Sequence, residues 1–176
     1  MVIMLINLSD EVGISSMMRV STRLDYGIKA MVRLASAYDR GPVPLSWVAR
    51  EERVSLAYLE QLMIPLKTRG LVKSTRGAKG GYRLARLPRI VTVAEVAEAL
   101  EGPFVPIFCL EPFHASKEVC CTFEPSCSTR DIWARVRDQV NSTLRGVSLE
   151  DLCRQEAKGL ESPPEKEPAL AVAGSS

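Results

Sequence analysis

Five cysteines and one histidine carry the widest range of chemistry in this 176-residue chain. Cys109, Cys120, Cys121 and Cys127, with His114 among them, fall in one stretch, 103–127, that has neither helical nor alternating apolar periodicity. An unpatterned segment of that length inside a compact chain needs something to organise it, and clustered thiolates can wrap an inorganic core. Zinc sites usually use close Cys-x-x-Cys pairs, which this sequence lacks. Iron–sulfur clusters accept more varied spacing and can complete their ligand set with another group. Cys109, Cys121 and Cys127 are therefore the candidate ligands. Cys120 adjoins Cys121, and adjacent side chains point apart, so only one of that pair is expected to serve. The plain alternative is a set of ordinary loop cysteines. Cys153 lies on the apolar face of a helical pattern and reads as a small buried hydrophobe. With a single histidine, no Ser–His–acid arrangement and no phosphate-cradling glycine loop, an enzyme is not expected; the only nucleophile–base pairing on offer is Cys109, Cys120 or Cys121 with His114.

The second chemical feature is charge. The chain as a whole carries a formal +2, but residues 18–90 hold 15 bases against 5 acids and residues 91–176 hold 8 bases against 14 acids. From Lys67 to Arg89 there are eight Lys or Arg and no acid. A basic half joined to an acidic half predicts that the first half meets a polyanion, although basic runs also occur on merely solvated faces.

The elements that must position these groups can be read from periodicity and capping residues. Ser21 or Thr22 caps a helix to about Tyr38, with Asp25 in its first turn. Gly41-Pro42 breaks the pattern and Pro44 leads into a short helix over Leu45–Glu52. Ser55 caps a third helix, Leu56–Arg69, whose Leu59, Leu62, Met63 and Leu66 form one apolar face; Gly70 ends it, and Pro65 should kink or shorten it. Two short alternating runs, Leu71–Thr75 and Tyr82–Ala85, flank Arg76-Gly77-Ala78-Lys79-Gly80-Gly81 and read as a β-hairpin with basic residues at its tip. Three helices and a hairpin make a winged helix-turn-helix, in which Leu56–Met63 would enter a major groove while Arg76 and Lys79 reach phosphate or minor groove. Thr92 caps a helix from Val93 to about Leu100. Ser128 or Thr129 caps a long amphipathic helix to about Arg145, expected to be a dimerisation element. Ser148 to Asp151 reads as a capping box for a last short helix.

With 46% apolar and 25% charged residues, the chain belongs among soluble globular proteins rather than disordered or fibrous ones. No apolar run approaches the roughly 20 residues needed to span a bilayer. The first residues carry Asp10 and Glu11 where a secretory signal would be basic, so a cytoplasmic location with reduced thiols is expected. The expected class is mainly α with a small β-hairpin wing. The expected organisation is an N-terminal extension over 1–17, a winged DNA-binding domain over 18–90, a cysteine loop and dimerisation helix over 91–155, and a disordered tail over 156–176, where Pro, Glu, Ala, Gly and Ser dominate.

Several motifs in this order resemble the IscR/NsrR family of winged-helix transcription regulators. They are Met18-Arg19-Val20-Ser21-Thr22 with Asp25-Tyr26, Gly41-Pro42-Val43-Pro44, and Ser55-Leu56-Ala57-Tyr58-Leu59-Glu60-Gln61-Leu62. Gly70-Leu71-Val72, Arg76-Gly77 with Lys79-Gly80-Gly81-Tyr82, and Cys121-x5-Cys127 running into Ile132-Trp133 continue the series, which covers roughly 18–155. Because it begins at Met18, the resemblance points to Met18 as the native start. It implies a homodimer on an imperfect palindrome of double-stranded DNA, one recognition helix and one wing per subunit. Glu60 matches a base-contacting glutamate and Arg76 the wing arginine; Ala57 stands where relatives have a serine, so their operator does not transfer. Ser55, Tyr58, Gln61 and Lys79 complete the expected DNA-binding set. For the cluster, 2Fe-2S or 4Fe-4S, the resemblance implies Cys109, Cys121 and Cys127. The eleven residues between Cys109 and Cys121 exceed the family's first gap. The histidine that some relatives use as a fourth ligand is Arg130 here, while the aspartate that nitric-oxide-sensing members donate across the dimer matches Asp25.

The expected function is thus a transcriptional regulator, a repressor, whose operator binding responds to nitric oxide, redox state or iron–sulfur status. A cluster-free regulator of the same fold, using thiol oxidation or a protein partner, is the alternative. A scaffold whose winged helix binds protein is a third reading, distinguished by the absence of salt-dependent DNA binding.

Overall fold

A computed structural model describes residues 20–77, 80–110 and 127–161 of the chain. Its elements run α1 (Thr22–Ser36), α2 (Leu45–Glu51), α3 (Leu56–Thr68), β1 (Val72–Thr75), β2 (Gly81–Leu84), α4 (Val93–Glu101), α5 (Ser128–Arg145) and α6 (Leu149–Glu161). Three short 3-10 turns sit at Tyr38–Arg40, Pro88–Ile90 and Phe108–Leu110. This is the mainly helical winged helix-turn-helix that the sequence predicts.

Local chemistry sets most helix starts. Ser21 Oγ accepts from the Leu24 N–H at 3.0 Å and Ser55 Oγ from the Tyr58 N–H at 3.2 Å, each satisfying a donor that the first helical turn leaves unpaired. Thr92 and Glu95 form a reciprocal capping box at α4, and Ser148 with Asp151 does the same for α6. At α5 the cap position falls to Cys127, one residue earlier than expected, with no side-chain bond. Pro65 does not end α3, which continues to Thr68. Residues on either side of it, Leu62, Met63 and Leu66, are at most 2% exposed, and their burial outweighs the one backbone donor that proline removes. Gly70, at φ 68°, turns the chain out of the helix.

The hairpin pairs antiparallel in the register Val72↔Leu84, Lys73↔Arg83, Ser74↔Tyr82 and Thr75↔Gly81. Val43 extends it, exchanging two 2.8 Å backbone bonds with Tyr82, so the loop before α2 acts as a third strand. That close approach explains Gly81, at φ 157°: a Cβ there would meet the Val43 carbonyl and the Pro44 nitrogen.

One core joins α1 to α4, the hairpin and α6. Met31 and Leu34 of α1, Val48 of α2, Leu59, Leu62, Met63 and Leu66 of α3, and Val72 and Leu84 of the hairpin form one buried cluster with Val96 and Leu100 of α4 and Leu149 of α6. The expected division at residue 90 is therefore not a division of the core: α4 and the start of α6 are packed into the winged unit. A bridge between Thr92 and Ser148, with Leu149 N–H donating to the Val91 carbonyl at 2.9 Å, locks the starts of α4 and α6 together. α6 also runs on to Glu161, beyond the residue at which a tail was expected to begin; Leu152 and Cys153 in its first half pack against the core, and Glu156 further along pairs with Arg33. α5 differs: it buries none of its residues.

Candidate nucleic-acid interface and thiol sites

The second and third helices are joined by Glu52-Arg53-Val54-Ser55. Arg53, at φ 55°, is the one non-glycine with positive φ among the described residues, a conformation that costs energy and is held by its surroundings. The Val54 N–H closes the turn onto the Ala49 carbonyl at 3.0 Å. Once Ser55 caps α3 and its apolar side is buried, Ala57, Glu60, Gln61, Ile64, Lys67 and Thr68 are left exposed on the opposite side. Glu60 and Gln61 thus share one solvent face, within the first two turns, where a recognition helix meets base edges. Tyr58 points elsewhere: its ring stands edge-on to Tyr26 of α1, centroids 6.1 Å apart and planes at 89°, which fixes the start of α3 against α1. Ser55, exposed, is occupied as the helix cap.

On the wing, Val72 and Leu84 point into the core, so their neighbours Lys73 and Arg83 face solvent directly opposite each other. Like charges so paired repel. Among the described residues no ion pair compensates either one, or Arg76 at the end of β1, which is exposed. Lys67 Nζ donates to Ser74 Oγ at 2.9 Å and ties the end of α3 to the wing. The result is a basic strip continuous with the exposed side of α3. Lys67, Lys73, Arg83 and Ile64 were not singled out from sequence, although strand alternation alone would have turned Lys73 and Arg83 outward. Lys79 lies outside the described residues.

Two of the candidate thiols are placed. Cys109 sits in the 3-10 turn Phe108–Leu110 and Cys127 immediately precedes α5; both are free and half-buried, and the turn packs against α5. Cys127 therefore stands at the N-terminus of an 18-residue helix, the end that favours negative charge. Cys120, Cys121 and His114 lie outside the described residues. Asp25, in the first turn of α1, is half-exposed and accepts from Lys29 Nζ at 2.8 Å; that bond raises the lysine's pKa, outweighing the burial that would lower it. Lys29 also lies 5.0 Å from the Tyr26 ring centroid. Among the described residues no three Cys, His, Asp or Glu side chains converge as a metal site. Cys153 behaves as a core-side residue, accepting from Ser36 Oγ at 3.3 Å and lying 3.7 Å from the Val32 carbonyl.

A reading helix with a capped start, a basic wing and one shared core have counterparts among known proteins. Residues 20–155 match the family model Rrf2, described as an iron-dependent transcriptional regulator. The chain belongs to the Rrf2 family. It is 39% identical over 135 residues to the HTH-type transcriptional regulator CymR of Bacillus subtilis, covering 77% of this chain and 89% of the relative. It is 34% identical over 139 residues to the HTH-type regulator IscR of Xenorhabdus nematophila, covering 79% and 81% respectively. The solved structure of B. subtilis CymR, the global cysteine regulator, superposes with a TM-score of 0.67 at 37% identity, covering 79% of this chain and 98% of that one. The structure of T. potens IscR does so with a TM-score of 0.64 at 33% identity, covering 84% and 94%. This Rrf2 protein is accordingly a DNA-binding transcriptional regulator and not an enzyme. Among the described residues, no helix is long and apolar enough to cross a membrane.

Proposed function

We propose that this Rrf2 protein is a homodimeric repressor that reads an imperfect palindrome and whose operator affinity is set by an iron–sulfur cluster. The observation that carries the DNA reading is the exposed side of α3 running into an acid-free basic wing. Glu60 and Gln61 would address base edges, a carboxylate accepting from cytosine and a carboxamide pairing with adenine. Arg76 and Lys79 would hold phosphate or the minor groove, with Ser55 and Tyr58 fixing the helix that carries the readers. The unburied α5 supports the dimer. A groove of about 550 Å³ runs beside it, lined by Val20, Leu24, Ala97, Phe104, Val140 and Leu144, giving an apolar surface for a second copy to cover. DNA binding should weaken steeply with salt, and a protein that binds no duplex at low salt would refute the reading.

The donor set fits an iron–sulfur group in part. Cys109 and Cys127 are free thiols on elements that pack together, and the family description is iron-dependent. Cys109, Cys121 and Cys127, with Asp25 of the partner subunit, would hold the group, 2Fe-2S or 4Fe-4S. Bound there, it would supply a centre that reacts with nitric oxide or oxidants. For its part the chain places Lys29 on Asp25, and a Tyr26–Tyr58 contact joins the same turn of α1 to the start of α3. Iron and sulfide assays on anaerobically purified protein test this, with Cys109→Ala, Cys121→Ala and Cys127→Ala expected to abolish both.

One observation favours a second reading. Identity to CymR, a cysteine regulator, is as high as or higher than identity to IscR. In that reading the same thiols act without a cluster, by oxidation or through a protein partner. An iron-free protein whose disulfide pattern and DNA affinity change together on oxidation would establish it over the first.

A further inference from the structure

We propose that Arg33 is a positioning residue for DNA reading, linking the turn before α3 to the C-terminal helix α6 through one shared guanidinium. Arg33 lies in the last turn of α1. Its Nε donates to Glu52 Oε1 at 2.6 Å, and its Nη1 donates to Glu156 Oε2 at 3.4 Å. The two carboxylates come from opposite ends of the regulatory architecture. Glu52 caps α2 and immediately precedes Arg53, the residue with φ 55° through which the chain enters α3. Glu156 belongs to α6, which follows α5 in the chain after a break at 146–148; Cys127 stands at the other end of α5.

The environments of the two carboxylates differ, and that difference gives the link its direction. The Glu52 side chain is only 9% exposed, so its charge needs a partner, and Arg33 pairs with it at 2.6 Å. Glu156 is 44% exposed and more loosely held. A movement of α6 would therefore leave Glu52 paired but redirect the guanidinium, and with it the strained turn that aims Glu60 and Gln61. The seat of α6 on α1 reinforces this geometry, since Cys153 lies between Ser36 and Val32, on the same stretch of α1 as Arg33. A lysine in place of Arg33 keeps the charge but has no fork with which to hold two carboxylates at once.

The inference rests on α3 being the DNA-reading helix, and the test separates the two ideas. Full-length wild type, Arg33→Lys and Glu156→Gln are titrated by fluorescence anisotropy against a duplex selected by the wild-type protein from a random pool. A scrambled duplex of equal length serves as the reference. Glu156→Gln, at an exposed position, should retain the wild-type melting temperature yet bind the selected duplex about three-fold more weakly; Arg33→Lys should lose about ten-fold. Affinity for the scrambled duplex and the salt slope should not move, which distinguishes aiming of α3 from loss of fold or of charge. Unchanged affinity of both variants for the selected duplex overturns the inference, as does equal weakening on both duplexes. If Arg33→Lys fails to fold, Glu156→Gln decides alone. A wild-type protein that selects no duplex removes the reading of α3, and this inference with it.

Discussion

Replacing Arg83 by Ser should move stability and DNA affinity in opposite directions. In the hairpin Arg83 stands directly across from Lys73, both exposed, with no acid between Lys67 and Arg89 to neutralise them. Like charges at paired positions of an antiparallel ladder cost on the order of 0.2–1 kcal/mol, so removing one should stabilise the fold by about that amount. A phosphate contact, by contrast, releases condensed counterions and contributes about 0.9 to the slope of log K against log salt. Loss of one such contact at 0.1 M salt corresponds to roughly a ten-fold fall in affinity, and loss of both, in the Lys73→Ser/Arg83→Ser double variant, should lower the slope by about 2. Urea titration reads the first effect; anisotropy at several salt concentrations reads the second. Unchanged salt slopes would refute the assignment of this pair to the DNA surface, and reduced stability would refute the claim that the pair is electrostatically frustrated.

Three further outcomes follow from the fold. Gly81→Ala should destabilise by about 1–3 kcal/mol in urea, because its Cβ would collide with the Val43 carbonyl and the Pro44 nitrogen that anchor the wing. Leu149→Ala, at a fully buried position holding α6 to the core, should cost about 2–5 kcal/mol, and a smaller loss would mean that α6 is not integral to it. Glu95 responds to pH: burial alone would raise its carboxyl, but the Thr92 N–H and the Arg86 guanidinium at 2.7 Å outweigh it and hold it below its ordinary value. A carboxylate lowered on folding stabilises above its unfolded value of about 4.3 and loses that contribution as pH falls through the folded one. The stability difference between wild type and Glu95→Gln should therefore be present at pH 7 and shrink below pH ~4; a difference independent of pH would contradict it.

Most of the winged unit was legible because local signals agreed with the tertiary outcome. Ser21, Ser55, Thr92 and Ser148 mark helix starts by side-chain chemistry, and the spacing of Leu59, Leu62, Met63 and Leu66 gives the buried side of α3, leaving Glu60 and Gln61 outward. Misreadings occurred where long-range packing decides. The helix read as Leu56–Arg69 does run to Thr68 with Pro65 inside it and the neighbours of that proline buried, whereas the change of composition after residue 155 hides the last turns of α6. Cys127 as a cap was not legible, since thiols are weak capping groups and Ser128 and Thr129 are strong ones. The Arg33 link could not be read at all, because its carboxylates lie 19 and 123 residues away along the chain. Of the thiol site, the sequence shows four cysteines in one stretch, and the described structure places Cys109 and Cys127 on neighbouring elements; Cys121 lies outside it.

The measurement that bears most directly on iron–sulfur control is the absorption and EPR spectrum of anaerobically isolated full-length protein, taken with operator affinity before and after nitric oxide. The expected protein is coloured and contains iron and sulfide; its bleaching by nitric oxide coincides with loss of operator binding, and its colour is missing in Cys127→Ala. A colourless, iron-free protein with operator affinity indifferent to nitric oxide would contradict it.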